Sequence, residues 1–137
     1  MESNFLQGDV LIVKKFDISE PGRYDVVIAK VGNQSMIKRV IGLPGETVQI
    51  LDGRVLVNGK VVDKSFDFCT DYEGVADEPY VLSEKEYFLM GDNRSVSYDS
   101  RNFGGIKLEQ IEGIVAVRIL PLWRIDVIQK PQEGNGK

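Results

Sequence analysis

Met36-Ile37-Lys38-Arg39-Val40-Ile41-Gly42-Leu43-Pro44-Gly45-Glu46 sets a lysine beside an arginine inside an apolar, β-prone run. Side chains alternate along a strand, so Met36, Lys38 and Val40 share one face and Ile37, Arg39 and Ile41 the other. Two cations therefore leave the strand in opposite directions. If the Met36/Val40 face is turned inward, the Lys38 ammonium loses water, its pKa falls and a neutral amine becomes accessible near neutral pH. That is how a lysine becomes a general base. On a wet face, or with its head group snorkelled to water, the same lysine is only a surface cation. Leu43-Pro44-Gly45 ends the strand, because proline brings no donor to a ladder and glycine takes the positive φ of a tight turn.

Working outward, Val10 to Lys15 reads as a strand covered on both faces, and Pro21-Gly22 as a turn. Tyr24 to Val31 is a second strand, and Gly32-Asn33 turns it into the lysine strand. Downstream, Asp52-Gly53 and Asn58-Gly59 separate Thr47 to Leu51, Arg54 to Val57 and Lys60 to Val62. Both dipeptides favour two-residue type I′ turns, so this part is a meander of three short antiparallel strands. Asp63 to Pro79 has no clean period and reads as a loop, with an edge strand inside it as the alternative, pinned by Phe66, Phe68 and Tyr72. Its acids Asp67, Asp71, Glu73, Asp77 and Glu78 lack the spacing of a calcium loop and read as solvated surface. Short strands follow at Tyr80 to Leu82 and Tyr87 to Met90, then a loop from Gly91 to Arg101. Ile106 to Glu112 is one helical turn or a connection, and Ile114 to Leu120 a buried strand. The expected fold is all-β and mostly antiparallel, one domain over residues 1–128 with a hairpin-rich part near 46–82 and a flexible tail over 129–137.

At 137 residues the chain is long enough for one packed core. A net charge of −4 without a basic run argues against nucleic acid as a partner. Cys69 is the only cysteine, so neither an intrachain disulfide nor a paired-thiol metal site can form, and its expected role is apolar filler. The chain has no histidine, which removes Ser-His-Asp, Cys-His and the common zinc sites together. A hydrolase built here must use lysine or a carboxylate as its base, and no cofactor or metal is expected. No apolar run approaches the roughly 20 residues of a membrane-spanning helix. Ser35-Met36-Ile37-Lys38 spells S-x-x-K, a pattern that needs both residues one helical turn apart. On a strand that offset puts them on opposite faces, and the partner motif S-D-N is absent.

Ile37-Lys38-Arg39-Val40-Ile41-Gly42-Leu43-Pro44-Gly45 resembles the lysine box of type I signal peptidases. Gly91-Asp92-Asn93-Arg94-Ser95-Val96-Ser97-Tyr98-Asp99-Ser100-Arg101 is similar to that family's G-D-N-R-x-x-S-x-D-S-R box, and Tyr24-Asp25-Val26-Val27-Ile28 to its short G-D-V/I-V-like strand. Met1-Glu2-Ser3-Asn4-Phe5-Leu6-Gln7-Gly8-Asp9 matches S-M-x-P-T-L-x-x-G-D without a gap if Met1 is the family methionine. The resemblance implies a two-sheet or coiled-barrel fold and a serine endopeptidase that cuts signal peptides from exported preproteins after small-x-small sequences. By position it implies Lys38 as general base, Ser97 as the residue orienting its amine, and Asp99 with Arg101 as a supporting ion pair. Met1, Phe5, Met36 and Ile37 are implied as lining for small side chains, with Phe5 narrowing the pocket where leucine is usual. The nucleophilic serine is expected just before Met1, outside this chain, which leaves the chain as written inert. A membrane anchor is expected upstream of it, holding the domain on the extracytoplasmic face of the cell membrane.

Departures keep an alternative open. Ser3 and Asn4 replace the usual proline and threonine, and Ser95-Val96 stand where polar residues are usual. They are compatible with a non-cleaving assembly or chaperone factor for secreted or surface-polymerised proteins. The related self-cleaving SOS repressors fit less well, since no DNA-binding domain or cleavable arm is visible in the chain.

Overall fold

A computed structural model describes residues 10–14, 20–62, 72–94, 96–120 and 126–127. The strands in chain order are β1 (Val10–Lys14), β2 (Val26–Val31), β3 (Gln34–Gly42), β4 (Thr47–Leu51), β5 (Arg54–Val57), β6 (Lys60–Val61), β7 (Tyr80–Val81), β8 (Glu86–Met90), β9 (Ile106–Lys107), β10 (Ile111–Leu120) and β11 (Asp126–Val127). Among the described residues a short α-helix, α1 (Ser100–Phe103), interrupts them. Among the described residues the larger sheet runs β1-β10-β2-β3-β8-β9 with β11 paired to β10, and the smaller runs β6-β5-β4-β7. All of these pairings are antiparallel. The expected all-β, mostly antiparallel, two-sheet architecture is therefore what forms.

The lysine strand sits inside the larger sheet. Its register sets Lys38 opposite Val27 of β2, and Arg39 opposite both Val26 of β2 and Met90 of β8. Ile41 packs with Val48, Ile50, Leu82, Phe88 and Met90 in the core between the two sheets. Val40 packs on the opposite face with Val27, Ala29, Tyr87, Leu89 and Ile106. β3 is thus covered on both sides, which is why its whole second half is apolar apart from the two cations. Both are dry: Lys38 is 8% and Arg39 2% exposed. The sheet geometry also separates Ser35 from Lys38, and the Ser35 hydroxyl instead donates to Glu112 at 3.0 Å.

The meander forms as its turns dictate. Asp52 and Gly53 stand at φ 52 and 78, Asn58 and Gly59 at φ 51 and 81, the positive pairs of type I′ turns. Elsewhere the boundaries move. β2 starts at Val26 because Tyr24 takes a left-handed φ of 70, closing a turn in which Gly22 N–H donates to the Asp25 carboxylate at 2.7 Å. Ile106 to Glu112 does hold one helical turn, but between two strand segments rather than in place of them. Ile106 and Lys107 pair with Tyr87 and Glu86, a 3₁₀ turn covers Leu108–Gln110, and β10 begins at Ile111. The Gly91-to-Arg101 loop ends in α1, where Asp99 caps the helix by accepting from Arg101 N–H at 3.1 Å. Cys69, Phe66, Phe68, Asp67, Asp71 and residues 129–137 lie outside the described residues.

Candidate active site

Consecutive residues of β3 hold the same loop from opposite faces. Lys38 Nζ donates to Ser97 Oγ at 2.9 Å. Arg39 turns the other way and grips Asp92 with Nε at 3.0 Å and Nη2 at 2.9 Å, while Nη1 reaches the Tyr24 carbonyl at 3.0 Å. The Arg39–Asp92 pair is buried on both sides. Alternation of side chains is thus used twice to fasten β3 to the 91–101 loop.

Around Ser97 the loop is knotted by charge-assisted bonds. Asp99 is fully buried and accepts from Arg101 Nε and Nη2, each at 2.9 Å, and from Gly91 N–H at 3.0 Å. Arg101 Nη2 also donates to the Arg94 carbonyl at 2.8 Å, and Arg94 Nε to the Gly91 carbonyl at 2.7 Å. Ser100 Oγ accepts from Leu89 N–H at 2.9 Å, tying the helix start to β8. A charged pair this dry needs every lone pair and proton engaged, and the network supplies the partners.

Gly91 sets the closeness of the site. A Cβ there would lie 2.1 Å from Ser97 Oγ, 2.6 Å from Ser97 Cβ and 3.5 Å from Lys38 Nζ. Only a residue without a side chain lets the Ser97 hydroxyl lie on the backbone at the end of β8 and meet the amine.

The electrostatics follow from burial and from these charges. Burial lowers the Lys38 pKa from its ordinary 10.5, and it outweighs the charges of Asp99 and Asp92, which raise it; Arg101 adds a further lowering. For Asp99 the balance reverses. Burial would raise the carboxyl, but Arg101's hydrogen bonds and charge, with bonds from Gly91 and Ser97, hold it below its ordinary 3.8. The arrangement can hold an amine that surrenders its proton readily beside a carboxylate that stays ionised.

The four polar residues singled out from sequence, Lys38, Ser97, Asp99 and Arg101, come together here. Met36 and Ile37 are half-buried on opposite faces of β3, Met36 across from Ala29 and Ile37 across from Ile28. Met1 and Phe5 lie outside the described residues. Sequence reasoning missed the Arg39–Asp92 pair and the role of Gly91. The pair had a signal: a guanidinium on the covered inner face of a strand requires a carboxylate, and the second box supplies one in Asp92.

The comparisons with known proteins bear on the whole of this arrangement. The family model described as "Signal peptidase, peptidase S26" matches residues 1–120, spanning the lysine strand and the 91–101 loop alike. A "Probable signal peptidase I-2" of Synechocystis is 33% identical over 144 residues, covering 97% of this chain and 65% of that protein. "Signal peptidase I V" of Bacillus subtilis is 36% identical over 135 residues, covering 85% of this chain and 78% of its own length. The chain thus spans just under two thirds of the Synechocystis relative. A crystal structure of a signal peptidase I from Enterococcus faecalis superposes with a TM-score of 0.57 at 29% identity, covering 72% of this chain and 98% of that one. The family match takes in both the lysine strand and the loop it grips, and the chain belongs to the signal peptidase I family of serine proteases.

Proposed function

We propose that this chain carries the general base of a signal-peptide-cleaving Ser/Lys endopeptidase acting on exported preproteins. The observation that carries the reading is the buried Lys38 amine held 2.9 Å from Ser97 Oγ. In this reading the neutral Lys38 amine takes the proton of an attacking serine hydroxyl as its oxygen bonds to the scissile carbonyl. The resulting ammonium then gives that proton to the leaving amine. Ser97 orients the amine, while Asp99 and Arg101 shape the loop and transfer no proton.

Ser97 itself is packed for holding rather than for attack. Its oxygen lies against the Gly91 backbone on one side while bonded to Lys38. We assign the attacking hydroxyl to a serine adjoining Met1 on its N-terminal side, as the first box implies.

Substrate binding has a geometric support. β3 pairs with β8 only from Arg39 onward, so among the described residues no strand pairs with Gln34–Lys38 on that edge. An extended preprotein segment can add there as a strand, its side chains alternating between faces. The first and third residues before the cut then share a face, which is the logic of a small-x-small rule. Met1, Phe5, Met36 and Ile37 are assigned to contact that segment. No helix among the described residues is long and apolar enough to cross a membrane. The reading places the domain at the extracytoplasmic face through a segment upstream.

The test is cleavage of a preprotein with a small-x-small site by a chain extended N-terminally through a serine and its natural upstream segment. Cleavage is expected, reduced by Ser97→Ala and abolished by Lys38→Ala or by removal of the added serine. A folded, extended chain that binds the preprotein without cutting it would refute the protease reading and favour an assembly factor.

A further inference from the structure

We propose that Gly74 is a positioning residue of the Lys38 site, acting through Arg101. Its bare backbone packs against the start of α1 and fixes where the Arg101 guanidinium stands.

Gly74 opens a 3₁₀ turn over Gly74–Ala76, held by Ala76 N–H to the Glu73 carbonyl at 3.1 Å and Asp77 N–H to the Gly74 carbonyl at 3.2 Å. At its far end Ala76 is fully buried with Val48, Ile50 and Leu82 in the core between the sheets. At its near end Gly74 meets α1 backbone to backbone: a Cβ on Gly74 would lie 1.9 Å from the Arg101 oxygen and 2.7 Å from its carbonyl carbon. The same segment offers the Tyr72 carbonyl to Arg101 Nη1 at 3.4 Å. Arg101 is therefore clamped between two pieces of chain, residues 72–76 outside and residues 91–99 inside. No other residue type fits at Gly74, both for the contact and for its φ of +59.

The consequence reaches the amine through charge. Besides burial, the groups acting on Lys38 are Asp99 and Asp92, which favour its ammonium, and Arg101, which opposes it. Arg39 leaves the opposite face and is engaged by Asp92, and Val27 and Val40, its apolar neighbours on its own face, carry no charge. A guanidinium pushed off its seat takes its opposing charge away from the amine and leaves Lys38 as the cation facing the Asp99 carboxylate, so the two hold each other ionised and Lys38 keeps its proton to higher pH. The 3₁₀ turn thereby links the core under the smaller sheet to the protonation of the base.

The inference rests on Lys38 being the base for its meaning, so the test reads the amine directly. Lys38 is titrated by NMR in the lysine-labelled full chain, with its signal assigned by Lys38→Arg. Gly74→Ala is compared with Gly32→Ala, where the backbone has a matching φ of +60 but an added Cβ meets nothing within 4 Å. Both variants place a side chain at the same positive φ, and only the first collides. The expected result is a Lys38 midpoint moved to higher pH in Gly74→Ala and unmoved in Gly32→Ala. A lowered midpoint in the parent that Gly74→Ala leaves in place overturns this inference alone. An ordinary lysine midpoint in the parent overturns the base reading and this inference with it. If Gly74→Ala does not fold, Gly74→Asn, which tolerates the left-handed backbone better but still carries the Cβ, is titrated in its place. Failure of both to fold while Gly32→Ala folds makes the turn a requirement of folding and overturns a positioning role.

Discussion

Arg39→Met should be among the most destabilising single changes in the molecule. It leaves the Asp92 carboxylate, fully buried, without the two bonds at 3.0 and 2.9 Å that engage it, and strips the Tyr24 carbonyl of its 3.0 Å donor. Removing one partner of a buried ion pair costs about 3–5 kcal/mol, because the remaining charge keeps its desolvation cost and loses its compensation. For a domain of this size that is a fall in Tm of about 10–20 °C. Asp92→Leu should cost a comparable amount by removing the carboxylate that two of the guanidinium's hydrogen bonds reach. The double variant Arg39→Met/Asp92→Leu replaces the pair with apolar groups and should return to within about 1–2 kcal/mol of the parent, the residue of the loss being the Tyr24 carbonyl. Urea unfolding of the four proteins closes a double-mutant cycle with a coupling of about 4 kcal/mol or more. Single variants that each cost under about 1 kcal/mol, as exposed pairs do, or that simply add in the double, would refute the claim that this pair is dry.

Three further outcomes follow from the same geometry. Gly91→Ala should cost about 1–3 kcal/mol by overpacking against Ser97 and should free the Lys38 amine from its 2.9 Å contact; adding Ser97→Gly should recover thermal stability but not the Lys38 titration seen by NMR. The folded-state pKa of Lys38 lies below 10.5, so between that lowered value and 10.5 the unfolded chain holds the extra proton and stability rises with pH. Lys38→Met should therefore stabilise the protein most near neutrality, with an advantage that shrinks as pH approaches 10.5, read from urea midpoints across the range. Asp99 is lowered below 3.8, so its contribution is present above that value and lost as pH falls through its folded pKa. Asp99→Asn should be less stable at neutral pH and lose less on further acidification, checked by acid titration of circular dichroism.

Much of the fold was legible because local chemistry and global placement agree. The Asp-Gly and Asn-Gly turns need positive φ at both positions, and no other short structure competes for them. The lysine strand was legible because β-branched residues on both of its faces leave a covered strand as the economical reading. Boundaries were less legible where a tertiary contact overrides a pattern. Tyr24 looks like strand but is bent left-handed by the Gly22–Asp25 turn, and Ile106-Lys107 becomes strand only because β8 offers an edge. Lys38, Ser97, Asp99 and Arg101 were picked out as a set by resemblance, since nothing in local spacing links positions 38 and 97. Gly74 and Gly91 were not foreseen, because what a glycine makes room for is visible only once the opposing backbone is in place.

Neighbouring cations pointing in opposite directions also guard the alignment of their strand. A slip of one position turns every side chain to the other face, so it takes Lys38 off the face that meets Ser97 and Arg39 off the face that meets Asp92 and breaks both contacts at once. The same two contacts that assemble the site therefore penalise a shifted sheet, which would bury both cations away from the partners that engage them here.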